Sequence, residues 1–191
     1  MNQAAHHWLT FDDYLSIEDE SDVRHEFVQG QVLAMAGGTP AHARIIANIS
    51  SLLKVVLEGK PCAVFSSDLR LRVANDRAAY PDVTVICGRV ELDPEDRKGH
   101  TVLNPRLLVE VLSPKTEDYD RGDKLGKYKQ IPSLQEVAFV AHDRNEIEVV
   151  RRESDGSWSR HVFRAGEFVK FASLTCEIAV ADVYRDPLSQ R

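Results

Sequence analysis

Apolar positions along this chain fall into two rhythms, a helical one and a strand-like one, that alternate from end to end. Thr10, with Asp13 three residues on, opens a short helical stretch carrying Phe11, Tyr14, Leu15 and Ile17. Residues 26–35 read as a hairpin turning near Gln29-Gly30. Thr39 followed by Pro40 is a cap and first-turn pair, and Ile45, Ile49, Leu52, Leu53 and Val56 behind it trace one face of a long helix. His42 continues that stripe by one turn. β-Branched runs predict strands near 62–73, 81–87 and 106–113. A helix then starts at Asp120, its cap, carries Leu125, Tyr128 and Ile131 as an apolar stripe, and stops at Pro132. Strands near 136–142 and 146–152 and a meander from 158–163 onward follow. The stretch 88–104 is charged and punctuated by Gly and Pro, the pattern of a mobile loop. Together these elements predict a single mixed α/β domain over the 191 residues, 43% of them hydrophobic, with disordered ends at 1–7 and 186–191.

Three polar residues break the pattern. Glu110 sits inside Leu107-Leu108-Val109-Glu110-Val111-Leu112, a run that reads as a central strand covered on both faces. An ionised carboxylate there loses several kcal/mol of hydration, roughly, unless a cation compensates. It is either a protonated or salt-bridged core glutamate or part of a functional site, where perturbed carboxylates cluster. Asp82, after Pro81, stands at the entrance of another strand. Pro-Asp alone is turn chemistry, but neighbouring strands would bring Asp82 and Glu110 to one spot. Two close carboxylates repel unless a divalent cation lies between them, and hard oxygen ligands favour Mg²⁺, Mn²⁺ or Ca²⁺ over zinc. The third is Lys124, which projects into the apolar stripe of its helix, with Lys127 near that stripe as a reserve candidate. Either its stem packs and its ammonium snorkels to water, or the ammonium faces the carboxylates.

This ordered set, Pro81-Asp82, then Glu110-Val111-Leu112-Ser113-Pro114, then Asp120 and Lys124 leading to Tyr128, resembles the restriction endonuclease-like family of the DUF820 type within the PD-(D/E)XK nuclease superfamily. The resemblance extends over nearly the whole chain, through His25 to Val32, the Met35-Ala36-Gly37-Gly38 stretch with His42, and Ser66 to Arg70. It implies a restriction-endonuclease-like fold, a mixed central sheet flanked by helices, and an endonuclease acting on DNA. Catalysis then falls to Asp82, Glu110 and Lys124. Mg²⁺, with Mn²⁺ as a substitute, is held by Asp82, Glu110 and the carbonyl of Val111, and Glu26 and His42 are supporting residues. Double-strand cutters of that superfamily often pair, so a homodimer is expected. One departure stands out: the lysine that the superfamily places two residues after the glutamate is Leu112 here, and Lys124 is the matching position.

Composition narrows the partners. The net charge of −6 excludes a chain coated for nonspecific nucleic-acid binding, so contact must come from a local strip. Arg70, Lys115 and Arg121 are its candidates, with Arg72, Lys127 and Lys129 beside them, although solvated surface cations are the commoner explanation. Cys62, Cys87 and Cys176 are isolated and odd in number, and read as reduced packing residues of a cytoplasmic protein. No leader pattern and no apolar run of membrane-spanning length is present. Two other functions stay open: a nuclease-like binding or assembly module without turnover, and a hydrolase of small phosphodiesters.

Overall fold

A computed structural model describes residues 8–114 and 116–188. Helix α1 (Phe11–Glu20) begins with a capping box, in which Thr10 accepts from the Asp13 amide and Asp13 accepts from the Thr10 amide. It buries Phe11, Tyr14 and Leu15 against Phe27 and Ala78, while Ile17 faces outward. Strands β1 (His25–Val28) and β2 (Gln31–Ala34) form the expected hairpin, with Gln29 and Gly30 both at positive φ (49° and 81°), the backbone a tight two-residue turn requires. Helix α2 (Pro40–Val56) starts where Thr39 Oγ1 accepts the His42 amide, and it buries Ile45, Ile49 and Leu53.

The strands form two main sheets. One has the order β2-β1-β5-β4-β7, with β4 at Arg70–Ala74, β5 at Arg77–Ala79 and β7 at Thr101–Val102. The other is β11-β10-β9-β8-β6-β3, built from β3 (Cys62–Ser66), β6 (Val83–Cys87), β8 (Leu107–Val111), β9 (Glu136–Val140), β10 (Glu146–Arg152) and β11 (Trp158–Arg164). Only β8 and β9 pair in parallel there, and a helical crossover joins them. A small hairpin, β12 (Phe168–Phe171) with β13 (Cys176–Ala179), packs with α2 on one face of the large sheet. The crossover helix packs on the other face with Leu71, Val73 and Ala79 of β4 and β5. Strand β8 therefore lies between two apolar layers: Val109 and Val111 enter one, Leu108 and Leu112 the other.

Several expectations need correction. The run 62–73 is two strands, β3 and β4, which serve different sheets across a turn at Ser67-Asp68. The stretch 88–104 is not a free loop. Arg70 donates to Asp96 at 2.8 Å and to Thr101 at 2.7 Å, Arg72 reaches Asp93 at 3.2 Å, and β7 docks along β4. Arg70, only 2% exposed, is thus an internal anchor and not a surface contact for nucleic acid. Cys62 and Cys87 are not reduced but form a disulfide, because the β3–β6 register sets them directly opposite each other. Register is a tertiary property that spacing along the chain does not encode, and the disulfide removes the cysteine argument for a reducing cytoplasm. Cys176 is the free thiol. The C-terminal turn meets α2 through an Arg44–Asp186 ion pair of 2.7 Å. The expectations for 1–7 and for 189–191 lie outside the described residues. Among the described residues no helix is long and apolar enough to cross a membrane.

Candidate active site

Register brings the two acidic residues level. Val83 pairs with Val109 across the antiparallel β6–β8 ladder, so Asp82, one residue back, comes opposite Glu110, one residue on. Directly opposed residues share a face of the sheet, here the face covered by the crossover helix. Asp82 Oδ2 accepts the Val111 amide at 2.7 Å, which fixes its carboxylate against the end of β8. Glu110 is buried. Burial pushes its pKa up to about 8; the Lys124 charge opposes that rise, and the charges of Asp82 and Asp120 add to it. Thr84, next on the same face of β6, has a buried hydroxyl without a hydrogen-bond partner among the described residues.

The crossover helix supplies the cation. It runs as α-helix at Glu117–Tyr119, π-helix at Asp120–Lys124 and α-helix again at Leu125–Tyr128. The expected cap at Asp120 is a correction: the helix starts earlier, and Asp120 turns inward instead of capping. The wide π turn lets Lys124 and Leu125 both be buried, one in the polar cluster and one in the core. Lys124 Nζ lies 3.0 Å from Glu110 Oε1, 3.2 Å from Glu26 Oε1 and 3.5 Å from Asp120 Oδ1. Tyr128 Oη donates to the same Glu110 oxygen at 2.6 Å. Burial works against the lysine's charge, but Glu110, Tyr128, Glu26 and Asp120 outweigh it and hold its pKa well above the usual value. Glu26 comes from β1 of the other sheet, so the cluster straddles both sheets.

His42 belongs to the same cluster. Its Nε2 is 3.1 Å from the Val111 carbonyl and 3.5 Å from Asp82 Oδ2. The hydrogen bond with Asp82 raises its pKa against the effect of burial. Gly38 makes room for the ring: a Cβ there would stand 2.6 Å from His42 Nδ1. That close approach gives a physical reason for Gly38; a Cβ at Gly37 would meet nothing within 4 Å.

The remaining candidates fall elsewhere. Lys127 points away and pairs with Asp76 at 3.0 Å. Arg121 is bound by Glu117 at 2.9 Å and by Glu148. Lys115 lies outside the described residues. A cavity of about 830 Å³ is lined by Arg72, Arg106, Gln130 and Ser133 among others and touches none of the clustered residues. Two members of the cluster, Asp120 and Tyr128, were read from sequence as a cap and a core residue. Their spacing of four on either side of Lys124 was the signal that all three share one helix face.

The family model described as "Putative restriction endonuclease", Uma2, matches residues 11–181. The chain belongs to the Uma2 family. Two relatives from Synechocystis are similar along most of their length. The uncharacterized protein slr1290 is 36% identical over 179 residues, covering 93% of this chain and 92% of that one. The uncharacterized protein sll1609 is 33% identical over 151 residues, covering 78% and 84%. The crystal structure of a "putative nuclease belonging to DUF820" from Anabaena variabilis superposes with a TM-score of 0.74 over 92% of this chain and 97% of that one. At 18% identity that likeness shows the fold, a restriction-endonuclease-like arrangement of mixed sheets flanked by helices.

Among the described residues no three His, Cys, Asp or Glu side chains are grouped to hold a metal ion. The donors at hand are instead two carboxylates, Asp82 and Glu110, and the Val111 carbonyl. All three are hard oxygens, and two carboxylates with waters completing the shell suit Mg²⁺ rather than a cation that needs an all-protein cage.

Proposed function

We propose that this Uma2 chain is a metal-dependent endonuclease that hydrolyses phosphodiester bonds of DNA. The observation that carries this reading is the Lys124 ammonium 3.0 Å from Glu110, on a strand where Asp82 stands level with that glutamate. Asp82, Glu110 and the Val111 carbonyl would hold Mg²⁺, with Mn²⁺ as a substitute. When bound, such a cation supplies Lewis-acid charge to a phosphoryl oxygen and favours deprotonation of a nearby water. The protein's own groups do the positioning. His42 holds the Val111 carbonyl, and Tyr128 and Lys124 occupy one oxygen of Glu110 and leave the other for the cation. Lys124 orients the attacking water, or stabilises the negative charge that develops on phosphorus oxygens as the 3′ oxygen departs. Glu26 fixes that ammonium from the other sheet, and a water-mediated contact from Glu26 to the cation belongs to the same reading. A homodimer, with two sites for two strands, belongs to the same reading.

One observation favours a second reading, a nuclease-like binding module without turnover: Glu110, Lys124 and Tyr128 already satisfy one another. Incubation with supercoiled plasmid and labelled oligonucleotides in Mg²⁺, in Mn²⁺ or in chelator separates the two. The nuclease reading expects metal-dependent cuts, with Glu110→Gln and Lys124→Ala losing about 99% of the rate, in line with the loss of one charge-stabilising group. Lys124→Ala cutting as fast as wild type would remove that residue from catalysis. Hydrolysis of a chromogenic diester with no action on DNA would move the function to small phosphodiesters.

A further inference from the structure

A second set of cations gathers at the edge of the large sheet. On β11, the outermost strand, Trp158 and Arg160 share one face, and Trp158 lies opposite Arg152 of β10. The Trp158 ring takes the Arg152 guanidinium at 4.9 Å and the Lys129 ammonium at 5.6 Å from its centroid. Arg152 has a structural duty. Its Nη2 donates to the carbonyls of Lys129 at 2.9 Å and of Ile131 at 2.8 Å, where the crossover helix ends. Lys129 and Arg160 have none of comparable weight. No carboxylate lies in ion-pair range of Lys129 Nζ among the described residues, and burial together with the charge of Arg160 lowers its pKa. Arg160, with its side chain 54% exposed, reaches Glu148 at 2.9 Å but shares it with Arg121.

Cations on an edge strand discourage pairing with other chains, which accounts for Arg160 alone. That account does not bring Lys129 across from the helix to stand beside two guanidiniums. Three like charges balanced by one carboxylate, itself shared with Arg121, oppose folding and favour an anionic partner. In a chain of net charge −6 a polyanion is repelled at long range, so its contacts have to concentrate where cations outnumber the carboxylates beside them. The same helix that buries Lys124 ends at this cluster, about 7.5 Å of helical rise further on. We propose that Lys129, Arg152, Trp158 and Arg160 form a docking strip for the phosphodiester backbone of a DNA substrate, a proposal that rests on the endonuclease reading. Contacts of this type fix register on the strand without reading base sequence.

The test is fluorescence anisotropy with a labelled DNA duplex in chelator, where no turnover occurs. The full chain is compared with Lys129→Gln/Arg160→Gln, and with Lys54→Gln/Lys170→Gln as a control of equal charge change on exposed positions elsewhere. Circular dichroism melts confirm that each variant is folded. The strip variant is expected to bind about tenfold more weakly at moderate salt. Its slope of log affinity against log salt should fall by about 1.8, two phosphate contacts at about 0.9 each, while the control stays within about twofold of wild type. Equal binding by the strip and control variants would overturn the proposal, as would a wild type that binds no duplex at low salt. The endonuclease reading is judged separately, by plasmid cleavage in Mg²⁺ at saturating protein. Cleavage retained by the strip variant under those conditions, with weakened binding in chelator, supports both.

Discussion

Tyr128 decides how Glu110 is presented. Its hydroxyl and the Lys124 ammonium converge on a single oxygen of a buried carboxylate, so removing the hydroxyl leaves that carboxylate short of a donor. Tyr128→Phe should cost about 1–3 kcal/mol of stability by urea denaturation, the usual penalty for stranding a buried acceptor. It should also slow cleavage while leaving duplex affinity in chelator unchanged. A variant with wild-type stability and rate would mean that Glu110 does not depend on this bond. Glu110, Asp82 and Lys124 were visible in the sequence because each violates the apolar pattern around it. Asp120 and Tyr128 entered only as members of the ordered set that carries the resemblance, because by itself each fits an innocuous role, cap and core. By periodicity His42 is one more turn of a core stripe; the resemblance made it a supporting residue, and its contacts with Val111 and Asp82 are what place it in the cluster.

At the scale of elements, helices α1 and α2 and the first hairpin were legible because their caps and turn residues are local signals. The division of 62–73 between two sheets was not, since a turn of Ser and Asp does not state which partner each strand will find. The stretch 88–104 misled for a related reason. Its charges suggest solvent, yet Asp96 is consumed by the buried Arg70 and Asp93 by the half-buried Arg72, both from β4. Asp96 carries a pH signature. Burial alone would raise its pKa, but hydrogen bonds from Thr101 and Arg70 and the charge of Arg70 prevail and bring it down to about 2 from an ordinary 3.8. A lowered carboxylate contributes stability that is present above its unfolded value and lost as pH falls through the folded one. The advantage of wild type over Asp96→Asn should therefore shrink by about 2 kcal/mol between pH 5 and pH 2, as measured by urea unfolding. An advantage that persists at pH 2 would show that the charge of Asp96 is not what secures this segment.

For the whole molecule, the cluster is assembled from both main sheets and the crossover helix, so an occupied cation site must resist unfolding of all of them at once. Mg²⁺ or Mn²⁺ at about 100 times its dissociation constant should add about 2.7 kcal/mol, or roughly 5–10 °C in Tm for a domain of this size. The increment should vanish in Asp82→Asn. A Tm indifferent to either metal would favour the binding-module reading. Family and fold were legible from the ordered acidic and basic positions, since these recur at spacings that several separate elements must satisfy together. Sheet order was not, because strand partners are chosen by three-dimensional packing, as the pairing of Cys62 with Cys87 illustrates.

That pairing has a consequence for Asp82. The crosslink spans 25 positions, and Asp82 sits inside the closed covalent ring together with β4 and β5. A protease that nicked any exposed turn within the ring would cut the backbone without separating the fragments. The carboxylate beside Glu110 would stay tethered to the rest of the protein from either side of the break.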